Sequence, residues 1–150
     1  MLEWLTPELD WYLMLRHLRD LVLAYLLAIP SAWDREARDR AIGLRTFPLV
    51  AVAACGYALI GFSILESGDA QARIMQGLIT GIGFIGGGAI LKGGGSVEGT
   101  ATAASLWATG AIGLAVASHR FEIAILISIA TFLTLRYLKP LMNVSKEDGK

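Results

Sequence analysis

The 150-residue chain is 55% apolar, 17% charged and formally neutral, with 13 basic and 13 acidic residues and a mean hydropathy of +0.57. The absence of net positive charge excludes an electrostatic nucleic-acid binder, and nucleic acid is not an expected partner. A single cysteine, Cys55, excludes an intramolecular disulfide and any Cys/His metal constellation, and reads as a small packing residue.

Five apolar stretches approach the roughly 20 residues needed to cross about 30 Å of hydrocarbon. The first runs from Leu13 to Ile29 and is interrupted by Arg16, His17, Arg19 and Asp20. Asp20 is the candidate metal or proton site, because an ionisable group inside an apolar span is costly unless it is paired or used. Arg16, one turn earlier, is its expected structural partner. The most charged segment follows, with Asp34, Arg35, Glu36, Arg38, Asp39, Arg40 and Arg45. It reads either as a solvated loop that fixes topology or as a contact surface, since its acids exceed what orientation requires.

The second stretch spans Phe47–Leu65 and the third Ile74–Leu91. The third carries two GxxxG patterns, Gly77/Gly81 and Gly83/Gly87, and then the run Gly86-Gly87-Gly88. Two readings stand: close helix packing or dimerisation through small residues, or a broken helix that exposes backbone groups to an ion. A short glycine loop leads to the fourth stretch, Thr100–Ala117, with Ser96 or Thr100 as its expected N-cap. Thr102, Ser105 and Thr109 share one face there and suit interhelical hydrogen bonds or a polar pathway. Trp107, mid-span, is expected against another helix, where its N–H finds a partner. The fifth stretch is Phe121–Leu138, and residues 141–150 form an expected polar cytoplasmic tail, disordered from Asn143.

Orientation follows from the basic residues. Arg16, Arg19, Arg73 and Arg120 fall on one side, and the rest of the 13, from Arg35 to Lys150, fall on the other. The richer side is expected to be cytoplasmic, with the N-terminus outside and Trp4, Trp11 and Tyr12 near the outer interface. No cleavable signal peptide is apparent in the acidic N-terminus. The expected fold class is an all-α polytopic transmembrane helix bundle of about five spans over residues 1–140. No Ser/His or His/Glu arrangement suits catalysis, so an enzyme is not expected.

Four segments together resemble the MgtC/SapB family of bacterial inner-membrane proteins over roughly residues 20–120. They are Asp34-Arg35, where the family has Glu-Arg; Ile42-Gly43-Leu44-Arg45-Thr46 with Leu49-Val50; Arg73-Ile74 leading into Gly81-Ile82-Gly83-Phe84-Ile85-Gly86-Gly87-Gly88; and Val97, Gly99, Thr102-Ala103-Ala104-Ser105-Leu106-Trp107 with Ile112-Gly113. The chain departs from the family at Ala28, Pro30 and Ala32, in place of a Gly-xxx-Gly ending, and at Gly99-Thr100-Ala101-Thr102. The resemblance implies a multi-pass inner-membrane protein with its N-terminus outside, linked to low-magnesium growth and to survival under stress or in hosts. It also implies a short member without the soluble C-terminal domain that many relatives carry. The expected function is regulation of partner membrane proteins in magnesium or ion homeostasis, the alternative being a cation transporter or channel. Asp20, Asp34, Arg35, Arg45, Thr102 and Trp107 form the expected functional polar cluster. Gly77, Gly81, Gly83 and Gly87 are the expected packing residues. The expected associations are the lipid bilayer, a second copy as a homodimer and other membrane proteins. No cofactor is expected beyond magnesium as a candidate ion.

Overall fold

The computed structural model describes residues 10–37, 43–93 and 96–147. It is a helical membrane bundle of five helices, α1 (Trp11–Glu36), α2 (Thr46–Ile64), α3 (Gly68–Gly88), α4 (Thr100–Ala117) and α5 (Phe121–Glu147), with one small hairpin, β1 (Leu91–Gly93) and β2 (Ser96–Glu98), between α3 and α4. Three of the helices, α2, α4 and Phe121–Leu138 of α5, are long and apolar enough to cross a membrane.

Helix starts follow local chemistry. Asp10 caps α1 by accepting from the Leu13 amide at 3.0 Å, and Ser67 caps α3 by accepting from the Ala70 amide at 3.2 Å, with Asp69 in the first turn. The start of α4 differs from expectation. Neither Ser96 nor Thr100 caps it: Ser96 lies in β2, and the N-cap is Gly99 with φ 87° and no side-chain cap. A Cβ there would run into the Ala89 carbonyl. The expected glycine loop is thus a hairpin, pairing Leu91 with Glu98 and Gly93 with Ser96. Helix α4 ends in a Schellman turn. His119 sits at φ 55°, its amide bonds the Val116 carbonyl at 2.9 Å, and the Arg120 amide reaches the Ala115 carbonyl at 2.8 Å.

Helix α4 is the central element. It packs against α1, α2, α3 and α5, and Leu106, Thr109, Ile112 and Val116 are fully buried. Its neighbours approach closely where α4 is smallest. Gly113 lies against the Ala51 carbonyl and the Cys55 amide of α2, and Gly110 against Ile82 of α3. Gly86 of α3 would place a Cβ 3.2 Å from the Ala103 carbonyl. Small residues let backbones meet at these distances. At the expected packing glycines of α3, Gly77, Gly81, Gly83 and Gly87, space at the Cβ position is open within this chain. The glycine run does not break the helix, since α3 continues to Gly88.

Helices α1 and α5 run parallel. Arg19 lies over the Phe121 ring at 5.7 Å, Ser128 donates to the Leu27 carbonyl at 2.6 Å, and Arg136 reaches Asp34 at 4.0 Å. These contacts advance in step along both helices. Pro30 lies inside α1; lacking an N–H, it leaves the Leu26 carbonyl without its helical donor. Helix α1 nonetheless runs on to Glu36, beyond the expected end at Ile29, and α5 runs to Glu147, so the expected disordered tail is helical as far as that residue.

Candidate functional site

The expected polar cluster separates into two places. Asp20 and Asp34 lie 14 residues apart on α1, about 21 Å at 1.5 Å per residue. Both are buried, at 1% and 3% exposure.

Asp20 is held by its sequence neighbour. Arg19 Nε and Nη2 donate to Asp20 Oδ1 at 2.9 and 2.7 Å. This replaces the expected partner Arg16. The Phe121 ring beneath the Arg19 guanidinium holds that side chain across the helix, a cation–π arrangement that also offsets some of its desolvation.

Asp34 forms the second centre. Arg35 Nη2 donates to Asp34 Oδ2 at 3.3 Å, with both side chains buried, and the half-exposed Arg136 approaches Oδ1 at 4.0 Å. Among the described residues, two guanidinium groups thus flank one carboxylate. Ser31, one turn earlier and fully buried, has no hydrogen-bond partner for its Oγ. Thr102 and Ser105 of α4 lie at the same end of the bundle, because α4 returns antiparallel to α5 through the turn at Ser118–Arg120. Their face is buried, and the hydroxyls of Ser105 and Thr109 bond within α4 rather than to another helix. Ser105 donates to the Thr102 carbonyl at 2.9 Å, and Thr109 donates to the Ser105 carbonyl at 2.8 Å. Hydroxyls in helices commonly satisfy themselves this way, so the face packs as a smooth, small surface.

Two further candidates point away from this centre. Arg45 stands at the start of α2, exposed. Trp107, expected against another helix of the bundle, is 53% exposed. The buried face of α4 is taken by Thr102, Ser105, Leu106, Thr109, Ile112 and Val116, and the indole lies on the outward stripe with Ala104. Arg38, Asp39 and Arg40 lie outside the described residues. What remains of that connection is tied to α1, since Glu36 Oε2 accepts from the Leu44 amide at 3.1 Å.

Sequence reasoning missed Arg136 and Ser128. Each is one of the few polar residues of the apolar stretch Phe121–Leu138, and that scarcity is the signal that could have found them. No group of three or more His, Cys, Asp or Glu side chains among the described residues could hold a metal ion. The arrangement offers arginine-neutralised carboxylates and outward aromatic and glycine surfaces.

A family model described as MgtC family matches residues 21–144. Protein MgtC of Brucella abortus is 37% identical over 122 residues, which covers 81% of this chain and 50% of that protein. Protein MgtC of Salmonella typhimurium is 37% identical over 117 residues, or 78% of this chain and 50% of the relative. The chain therefore spans about half the length of the curated relatives it matches. No solved structure matches it. The matched segment contains Asp34, Arg35, Arg45, Thr102, Trp107 and most of the bundle described above, and the chain belongs to the MgtC family.

Proposed function

We propose that this chain is a non-catalytic, multi-pass protein of the bacterial inner membrane. In this reading it acts in magnesium or ion homeostasis by contacting and regulating other membrane proteins. The observation that carries the reading is that both buried carboxylates, Asp20 and Asp34, are engaged by arginine. A carboxylate already neutralised by one or two guanidinium groups is a poor stepping stone for a divalent cation. The outward side chains of α3 and α4, Phe84 at 86% exposure and Trp107 at 53%, supply apolar contact surface instead. Parallel pairing of α1 with α5 supports five crossings, and the distribution of basic residues supports an outside N-terminus.

Magnesium flux into proteoliposomes tests this reading, with Asp20→Asn beside the parent chain. No flux from either folded protein is expected, together with loss of low-magnesium growth on charge reversal at Arg35 or Arg45. Flux that disappears in Asp20→Asn would replace the reading with a cation transporter, for which Asp20, deep in the bundle, is the residue that speaks.

The homodimer belongs to the same proposal. Gly83 and Gly87 lie on a different side of α3 from Gly77 and Gly81, and both present open backbone. Gly87→Leu is expected to shift the detergent-solubilised protein toward monomer; an unchanged oligomer removes that face from the contact.

A further inference from the structure

Helices α2 and α3 enclose a groove of about 740 Å³ that no side chain among the described residues fills. Its shape follows from the packing of α3. Near its start α3 meets α2, where Gly61 lies against Ile74; further along it leans onto α4, through Ile82 on Gly110 and Gly86 on Ala103. The two helices therefore diverge toward the start of α2. The walls are apolar, with Leu49, Ala53, Tyr57 and Leu78 among them, and Gly77 and Gly81 form part of the floor. Arg45 and Thr46 stand at the wide end. Arg45 is exposed and has no ion-pair partner among the described residues.

We propose that this groove is a binding site for an anionic glycerophospholipid, with its phosphate on Arg45 and Thr46 and an acyl chain lying along Gly81 and Gly77 toward Gly61. Charge complementarity selects this occupant. A guanidinium group and a hydroxyl, Arg45 and Thr46, sit together at the wide end, and the lining between them and Arg73 at the narrow end is apolar. An anionic lipid has the same division, with charge at one end and hydrocarbon beyond it. The groove runs 16 residues along α2, from Arg45 to Gly61, or about 24 Å at 1.5 Å per residue. That depth accommodates the acyl chain of one leaflet, about half of the ~30 Å hydrocarbon core. A transmembrane helix seated in the same groove would have to supply an acid at the level of Arg45. Arginine suits the phosphate because its planar fork binds oxygens two at a time. Arg73 also lines the groove, beside Ile74 at the narrow end, but it stands at the far end of the stretch from Arg45 to Gly61 and out of reach of a phosphate held on Arg45 and Thr46.

Native mass spectrometry of the detergent-purified chain, titrated with phosphatidylglycerol or phosphatidylcholine, reads bound lipid and oligomeric mass together. A discrete phosphatidylglycerol adduct at least tenfold tighter than the phosphatidylcholine adduct is expected. Arg45→Gln should abolish that preference, and Arg73→Gln should keep it. Gly81→Leu, whose side chain enters open space, should weaken both adducts several-fold. Equal affinity for the two lipids overturns the proposal, as does loss of preference in Arg73→Gln alone. A dimer that Gly81→Leu splits would assign the groove to a second copy, and a co-purifying polypeptide released by Gly81→Leu would assign it to a protein partner; either overturns the proposal too.

Discussion

Gly77 and Gly113 show how differently one residue type is used in this chain. A methyl group at Gly77 would meet nothing, whereas at Gly113 it would collide with the Ala51 carbonyl and press on the Cys55 amide and the Ala54 methyl. Gly77→Ala should therefore leave thermal stability unchanged or raise it, by up to the roughly 1 kcal/mol that separates glycine from alanine in helices. Gly113→Ala should cost about 1–3 kcal/mol through overpacking between two backbones, read as a lowered melting temperature in the same detergent. Equal effects at the two sites would contradict the close α2–α4 approach. The ion pairs divide in the same way. Asp34→Asn leaves the Arg35 guanidinium buried beside a neutral amide, and removing one partner of a buried pair costs about 3–5 kcal/mol. Glu122→Gln removes only an exposed partner of Arg120, 3.8 Å away, and is expected to change stability by less than about 0.5 kcal/mol.

At the scale of the elements, composition made the helices legible and their environments less so. The apolar stretches marked α2, α4 and the first two-thirds of α5 closely, because hydrocarbon-spanning segments must be long and uncharged. The ends were harder to place. Helix α1 continues past Pro30 because neighbouring helices stabilise what an isolated helix would lose there, and no local signal in residues 30–36 says so. Trp107 was expected against another helix because a large aromatic residue mid-span suggests burial, but within this chain it stands on the outward stripe of α4 with Ala104, while Leu106, Thr109, Ile112 and Val116 take the buried face. By spacing Arg16, one turn before Asp20, is the better partner, since sequence neighbours such as Arg19 do not face the same side of a helix. Phe121, 101 residues beyond Asp20, decides between them, and periodicity carries no information over that range. Ser128→Ala tests how strongly α5 is tied to α1. It removes the hydrogen bond to the Leu27 carbonyl and should cost about 0.6 kcal/mol, the typical value for such bonds between membrane helices, seen as a small drop in melting temperature without loss of assembly.

For the whole molecule, the sequence pointed to one site where the structure has two centres and an unfilled groove. A buried Asp34–Arg35 pair closes one end of the bundle, and Asp20 lies about four turns away along α1. The glycine-rich third helix, read from sequence as close packing or dimerisation or as a broken helix, packs within this chain through only part of its glycine set, and the remainder lines the groove facing α2 and an open face on another side. Sequence patterns report that a backbone is accessible. They do not report what reaches it, and that distinction sets the groove apart from the α3–α4 contact.

The parallel pairing of α1 and α5 also has a kinetic consequence. During synthesis the first helix enters the bilayer carrying Asp20 and Asp34, yet Phe121, Ser128 and Arg136 emerge only after another hundred residues have been made. Helix α4, against which the other four pack, is itself next to last. The early helices must therefore wait in lipid as a loosely associated set, and the final helix closes the bundle as a keystone closes an arch. Assembly of the bundle is then an end-stage event, and the buried carboxylates of its first helix lie where the last helix to arrive completes their surroundings.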